Sequence, residues 1–109
     1  MKDKTEALAV LLRLSETIAA RPGADPAASY TAKLLAGAPH LPGKKLAEEA
    51  LEAALAAVSG DKAAVTAEAA DVLFHLLVLL QASGVTLQQV CAELARREGT
   101  SGIVEKNSR

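Results

Sequence analysis

Glu68-Ala69-Ala70-Asp71-Val72-Leu73-Phe74-His75-Leu76-Leu77-Val78-Leu79-Leu80 is the stretch on which the fold turns. Its first half carries two acids three residues apart. Its second half leaves almost no polar face on a helix, His75 being the one interruption. A helix that is apolar all round has to be covered all round. The flanks bound it: Ser59-Gly60-Asp61 supplies a C-terminal glycine to the helix before and an N-cap to this one, and Ser83-Gly84 closes it. A fourth helix therefore spans about Asp61 to Ala82.

The neighbouring segments are helical as well. A third helix runs from about Gly43 to Val58, and Ser29 to Leu35 forms a short second one, ended by Gly37 and Pro39. Asp3 followed by Glu6 opens the first, whose Leu8, Leu11, Leu12 and Ile18 recur at helical spacing until Pro22-Gly23 stops it near Ala20. Thr86 with Gln89 opens a fifth, and Arg96-Arg97 sit where cations suit a helix C-terminus. Gly99 to Arg109 reads as a polar tail. With 24 alanines and 17 leucines against ten valines and isoleucines, the chain is expected to be all-α. It forms one domain over residues 1–109, with four to five helices around an antiparallel helix-pair core. So small a subunit leaves the second half of helix four short of cover, and the economical completion is a homodimer that builds a helical bundle.

Charge and cysteine content exclude several classes. Twelve Lys and Arg balance 13 Asp and Glu, net −1, which offers no basic footprint for nucleic acid. A hydrophobic share of 50% excludes global disorder. The nine positions Val72 to Leu80 fall short of the roughly 20 residues of a bilayer span, so no membrane partner is expected. Ala7 to Leu12, cut by Arg13, is too short for a signal-peptide core. Cys91, the only cysteine, cannot form an internal disulfide, so a cytoplasmic setting is the default and the residue reads as a small buried hydrophobe.

Against this background the carboxylates fall into a pattern. Glu49 and Glu52 lie about 60° apart on helix three, with Leu51, Leu55 and Val58 on roughly the opposite face. Glu68 and Asp71 repeat the spacing on helix four. Each pair alone is what a solvated helix displays. Two pairs on consecutive antiparallel helices joined by a tight turn can place four carboxylates in one space, where they repel one another unless a cation intervenes; hard oxygen donors suit Mg²⁺, with Mn²⁺ a possible substitute. His75, a lone histidine in a leucine run, reads as a hydrogen-bonded core residue and not as a ligand.

Lys44-Lys45-Leu46-Ala47-Glu48-Glu49-Ala50-Leu51-Glu52, the Ser59-Gly60-Asp61 turn and the Glu68 to Leu80 stretch together resemble phosphoribosyl-ATP pyrophosphatase of histidine biosynthesis. The likeness extends upstream to Asp25-Pro26 and Ser29-Tyr30-Thr31-Ala32-Lys33-Leu34-Leu35, and downstream to Ser101-Gly102 and Glu105-Lys106-Asn107-Ser108-Arg109, covering nearly the whole chain. The paired-acid core is shared by a wider superfamily of all-α nucleoside triphosphate pyrophosphatases; the Ser29 to Leu35 segment and the C-terminal ending narrow it. The chain departs from the family at Pro39, Pro42 and Gly43, where a more helical, Lys-bearing stretch is expected.

The resemblance implies Mg²⁺-dependent hydrolysis of phosphoribosyl-ATP to phosphoribosyl-AMP and pyrophosphate in a helical dimer or higher assembly. It maps the metal-binding acids onto Glu49, Glu52, Glu68 and Asp71, with Glu48 as an adjacent acid that, with Glu49, orients or deprotonates water. Such chemistry asks for charge neutralisation and a positioned water more than for a nucleophile. Lys33, Lys45, Lys106 and Arg109 are the candidate phosphate partners, and Tyr30 is the candidate to stack on the adenine. Two other functions compete: a related enzyme that clears noncanonical nucleoside triphosphates, and a non-enzymatic helical interaction module that binds no Mg²⁺.

Overall fold

A computed structural model describes residues 3–21 and 23–108, the side chain of residue 105 apart. It is all-α: α1 (Lys4–Ala19), α2 (Tyr30–Ala36), α3 (His40–Ser59), α4 (Lys62–Ser83), α5 (Leu87–Arg96) and α6 (Gly102–Ser108). The caps at Asp3, Asp61 and Thr86 are those the sequence signals, while Ser29, expected as the first residue of α2, caps it instead. Asp3 accepts from the Glu6 amide at 2.8 Å, Ser29 from Ala32 at 3.2 Å and Asp61 from Ala64 at 3.1 Å. Thr86 and Gln89 form a reciprocal capping box, satisfying two amides that the first turn of α5 cannot. Gly60 and Gly84, at φ of 78° and 72°, end α3 and α4 in the left-handed conformation a side chain would resist.

Two expectations need correction. Helix α3 begins at His40, not near Gly43, and takes Pro42 into its first turn, where the missing N–H has no helical partner to lose. Residues 102–108 form a sixth helix in place of a wholly irregular tail, with the Ser101 hydroxyl accepting from the Val104 amide at 3.2 Å.

Helices α3 and α4 pack along each other as an antiparallel hairpin, and α1 and α2 lie against α4. The core sits where Ile18 of α1, Leu34 of α2 and Leu77 and Val78 of α4 meet, ringed by Leu11, Leu14, Leu35, Leu41, Phe74, Leu80 and Leu87. By length and composition α4 is long and apolar enough to cross a bilayer, more so than its nine most apolar positions suggest; here its apolar second half forms the core with α1 and α2. That core is small. The chain exposes 7595 Å², where a folded monomer of this mass exposes roughly 5,700 Å², and its radius of gyration is 15.7 Å against about 13 Å for a compact domain of this length.

Candidate functional site

The α3–α4 hairpin brings the two acid pairs together. One carboxylate oxygen from each of Glu49, Glu68 and Asp71 lies within 4.8 Å of the others. Glu52 stands beside them, its charge raising the pKa of both Glu49 and Glu68. The first cause of each rise is loss of water around the carboxylate; for Glu49 the Glu52 and Asp71 charges add to it, for Glu68 those of Glu52, Glu49 and Asp71. Oε2 of Glu49 and Oε2 of Glu68 are closed to solvent and meet no hydrogen-bond donor.

Unpartnered buried acceptors on converging acids carry a desolvation penalty that a cation would offset. The donors are all hard oxygens, so the group fits a hard divalent metal.

The other candidates divide by place. Glu48 lies outside this cluster, its Oε2 3.5 Å from Lys45 Nζ on a solvent-facing part of α3. Tyr30 and Lys33 share an open hollow of about 560 Å³ with Pro26, Ala27, Ala28 and Ser29. Lys106 is exposed on α6. Arg109 lies outside the described residues. A second hollow, of about 200 Å³ between α1, α4 and α5, is lined by none of these acids.

His75 is a buried, hydrogen-bonded residue, as its setting in the leucine run suggested. Only 4% exposed, it places Nδ1 2.7 Å from the Asp71 carbonyl oxygen and Nε2 3.1 Å from the Tyr30 hydroxyl. That link to Tyr30 has no signal in the sequence, since the two residues are 45 positions apart. Cys91 departs from expectation: it is exposed on α5, whose outer side the chain itself leaves uncovered.

A family model described as phosphoribosyl-ATP pyrophosphohydrolase matches residues 11–98. A protein of Dinoroseobacter shibae named phosphoribosyl-ATP pyrophosphatase is 61% identical over 102 residues, covering 94% of this chain and 100% of its own length. A protein of the same name from Cereibacter sphaeroides is 59% identical, covering 94% of this chain and 99% of its own. One from Paracoccus denitrificans is 61% identical over 99 residues, covering 91% and 92%.

Proposed function

Because the chain belongs to the phosphoribosyl-ATP pyrophosphohydrolase family, we propose that it hydrolyses phosphoribosyl-ATP to phosphoribosyl-AMP and pyrophosphate, the second step of histidine biosynthesis. The observation that carries the reading is the convergence of Glu49, Glu68 and Asp71 from two helices, with two of their oxygens sealed and without donors. Glu49, Glu52, Glu68 and Asp71 would hold Mg²⁺, with Mn²⁺ as a substitute. When bound, the ion neutralises phosphate charge and polarises water.

The chain's own groups account for the rest. Water adds to phosphorus as the anhydride P–O bond breaks, and its proton passes to a carboxylate. Glu49, a member of the cluster with a raised pKa, is the acid we assign to take it, with Glu48, which faces Lys45 outside the cluster, as the second candidate. Lys33 and Tyr30 in the shared hollow offer a cation for phosphate and a ring for adenine. Lys45, Lys106 and Arg109 are the further phosphate partners. The subunit works as a homodimer, a reading supported by its excess exposed surface and by Leu51, Leu55 and Val58 lying bare along α3. Its setting is the cytoplasm, and neither nucleic acid nor membrane is a partner.

Pyrophosphate release with Mg²⁺ from phosphoribosyl-ATP, compared with release from ATP and dUTP, tests the reading. Preference for phosphoribosyl-ATP supports it. Faster release from dUTP would replace it with the nucleotide-clearing reaction, and no release from any of them would leave a non-enzymatic module.

A further inference from the structure

We propose that His75 is a positioning residue: it holds Tyr30 as a fixed wall of the hollow that receives the substrate's base, and ties that wall to the acid-bearing turn of α4. The inference rests on the proposed reaction and deepens it.

The hydrogen bonds set the roles of the ring. The Asp71 carbonyl oxygen, 2.7 Å from Nδ1, can only accept, so Nδ1 carries the proton. With that proton on Nδ1, Nε2 is the nitrogen left to accept, and the Tyr30 hydroxyl, 3.1 Å away, is the donor that faces it. The imidazole is buried and meets the Phe74 ring edge-on, with centroids 5.0 Å apart and an 89° angle between planes.

Tyr30 is placed unlike a packing residue. Its hydroxyl is engaged in the interior and one side of its ring stacks near Phe74 at 6.1 Å and 17°, yet 51% of the residue remains exposed at the edge of the hollow it shares with Lys33. An aromatic surface anchored at its polar end and open on its flank is already ordered before a planar ligand arrives, which lowers the entropy lost on binding. The anchor's far end is the main chain of Asp71, one of the clustered acids. Base recognition and the acidic cluster are therefore connected through one side chain.

Four variants and one spectroscopic probe test this. Tyr30→Phe removes the hydroxyl and keeps the ring. His75→Asn keeps a donor near the Asp71 carbonyl but falls short of Tyr30, whereas His75→Gln restores an acceptor at the reach of Nε2. The Tyr30→Phe and His75→Asn variants are each expected to raise KM for phosphoribosyl-ATP about fivefold while kcat changes by less than about twofold. The double variant should be no worse than the worse single one, and His75→Gln should recover most of the loss.

Tyr30 is the sole tyrosine and the chain has no tryptophan, so a ¹³C-labelled tyrosine ring gives one signal. In the free protein that signal should move in His75→Asn and return in His75→Gln. Wild-type KM in Tyr30→Phe, additive effects in the double variant, or an unmoved ring signal would each overturn the inference alone. A wild type that releases no pyrophosphate from phosphoribosyl-ATP would overturn the reaction, and the inference with it.

Discussion

Glu49 on α3 and Glu68 on α4 each turn one oxygen, Oε2, into a space closed to solvent where no donor meets it. Such a pair is stable only as well as its charge is answered. Chelation is expected to abolish turnover, and Mg²⁺ or Mn²⁺ to restore it. Glu49→Gln, Glu52→Gln, Glu68→Gln and Asp71→Asn keep the side-chain shapes and remove the charge that would hold the proposed ion. Each should lower kcat/KM by about 100-fold or more with helical circular dichroism unchanged, about 2.7 kcal/mol of transition-state stabilisation at 1.36 kcal/mol per tenfold. Near-normal turnover in both Glu52→Gln and Asp71→Asn would dismiss the four-acid site.

The same carboxylates give the metal-free protein a pH dependence of definite sign. The pKa values of Glu49 and Glu68 are raised from an ordinary value of 4.5, so the stability they contribute is full below that value and is lost as pH rises through their folded-state values. Glu93 acts oppositely: clasped by Arg96 at 2.7 Å and Arg97 at 2.9 Å, it is lowered to about 2, and its contribution is lost as pH falls from 4.5 toward that value. Melting temperatures measured in chelator above the range in which Glu93 titrates report the first effect without that opposing one. They should fall with rising pH, and the gain on adding Mg²⁺ should grow over the same range. Parallel curves with and without Mg²⁺ would contradict the assignment.

How far the sequence foretold this structure depends on the range of the signal. Caps at Asp3, Asp61 and Thr86 act within three or four residues, so they could be read directly, as could the acid pairs, since a helix fixes i and i+3 on one stripe. Pro42 misplaced the start of α3 because a proline is a breaker only where its N–H would have bonded. The cap at Ser101 was present, yet the glycines at 99 and 102 hid the helix it begins. The His75–Tyr30 bond joins α2 to α4 and has no local trace. Exposure of Cys91 likewise depends on what packs beside α5, which periodicity does not specify.

Packing also moves the expected dimer contact. Apolar surface on the second half of α4 suggested self-association, but Leu77 and Val78 are buried within the subunit itself, against Ile18 and Leu34. Exposed apolar side chains occur on several helices, and α3 carries three of them on one stripe, Leu51, Leu55 and Val58, at 61%, 60% and 86% exposed. Light scattering should report a dimer at micromolar concentration. Leu55→Glu should weaken it about 10- to 100-fold, since burying a leucine is worth about 1.5 to 3 kcal/mol. Leu77→Glu should instead unfold the subunit, because it places an unpaired charge in the core. A monomeric wild type would return the α3 face to ordinary surface.

Among the described residues, helix α6 contributes none to the buried core. Ile103 and Val104 are exposed, and Lys106 extends from its last turn. Such an end is ordinarily dispensable. If Lys106 and Arg109 bind substrate phosphates, as the resemblance of the ending implies, deleting residues 103–109 should raise KM for phosphoribosyl-ATP tenfold or more. Two charge-assisted contacts of about 1.5 to 3 kcal/mol each exceed the 1.4 kcal/mol of one tenfold step. Because Lys106 is exposed, the difference between full-length and truncated protein should shrink as salt is added. Lys106→Ala should show a smaller, equally salt-sensitive rise. Scattering on the truncated protein separates a lost phosphate contact from a lost subunit contact: in the first case the dimer survives and KM alone changes. Unchanged kinetics after truncation would remove the C-terminal cations from the site and leave phosphate binding to Lys33 and Lys45.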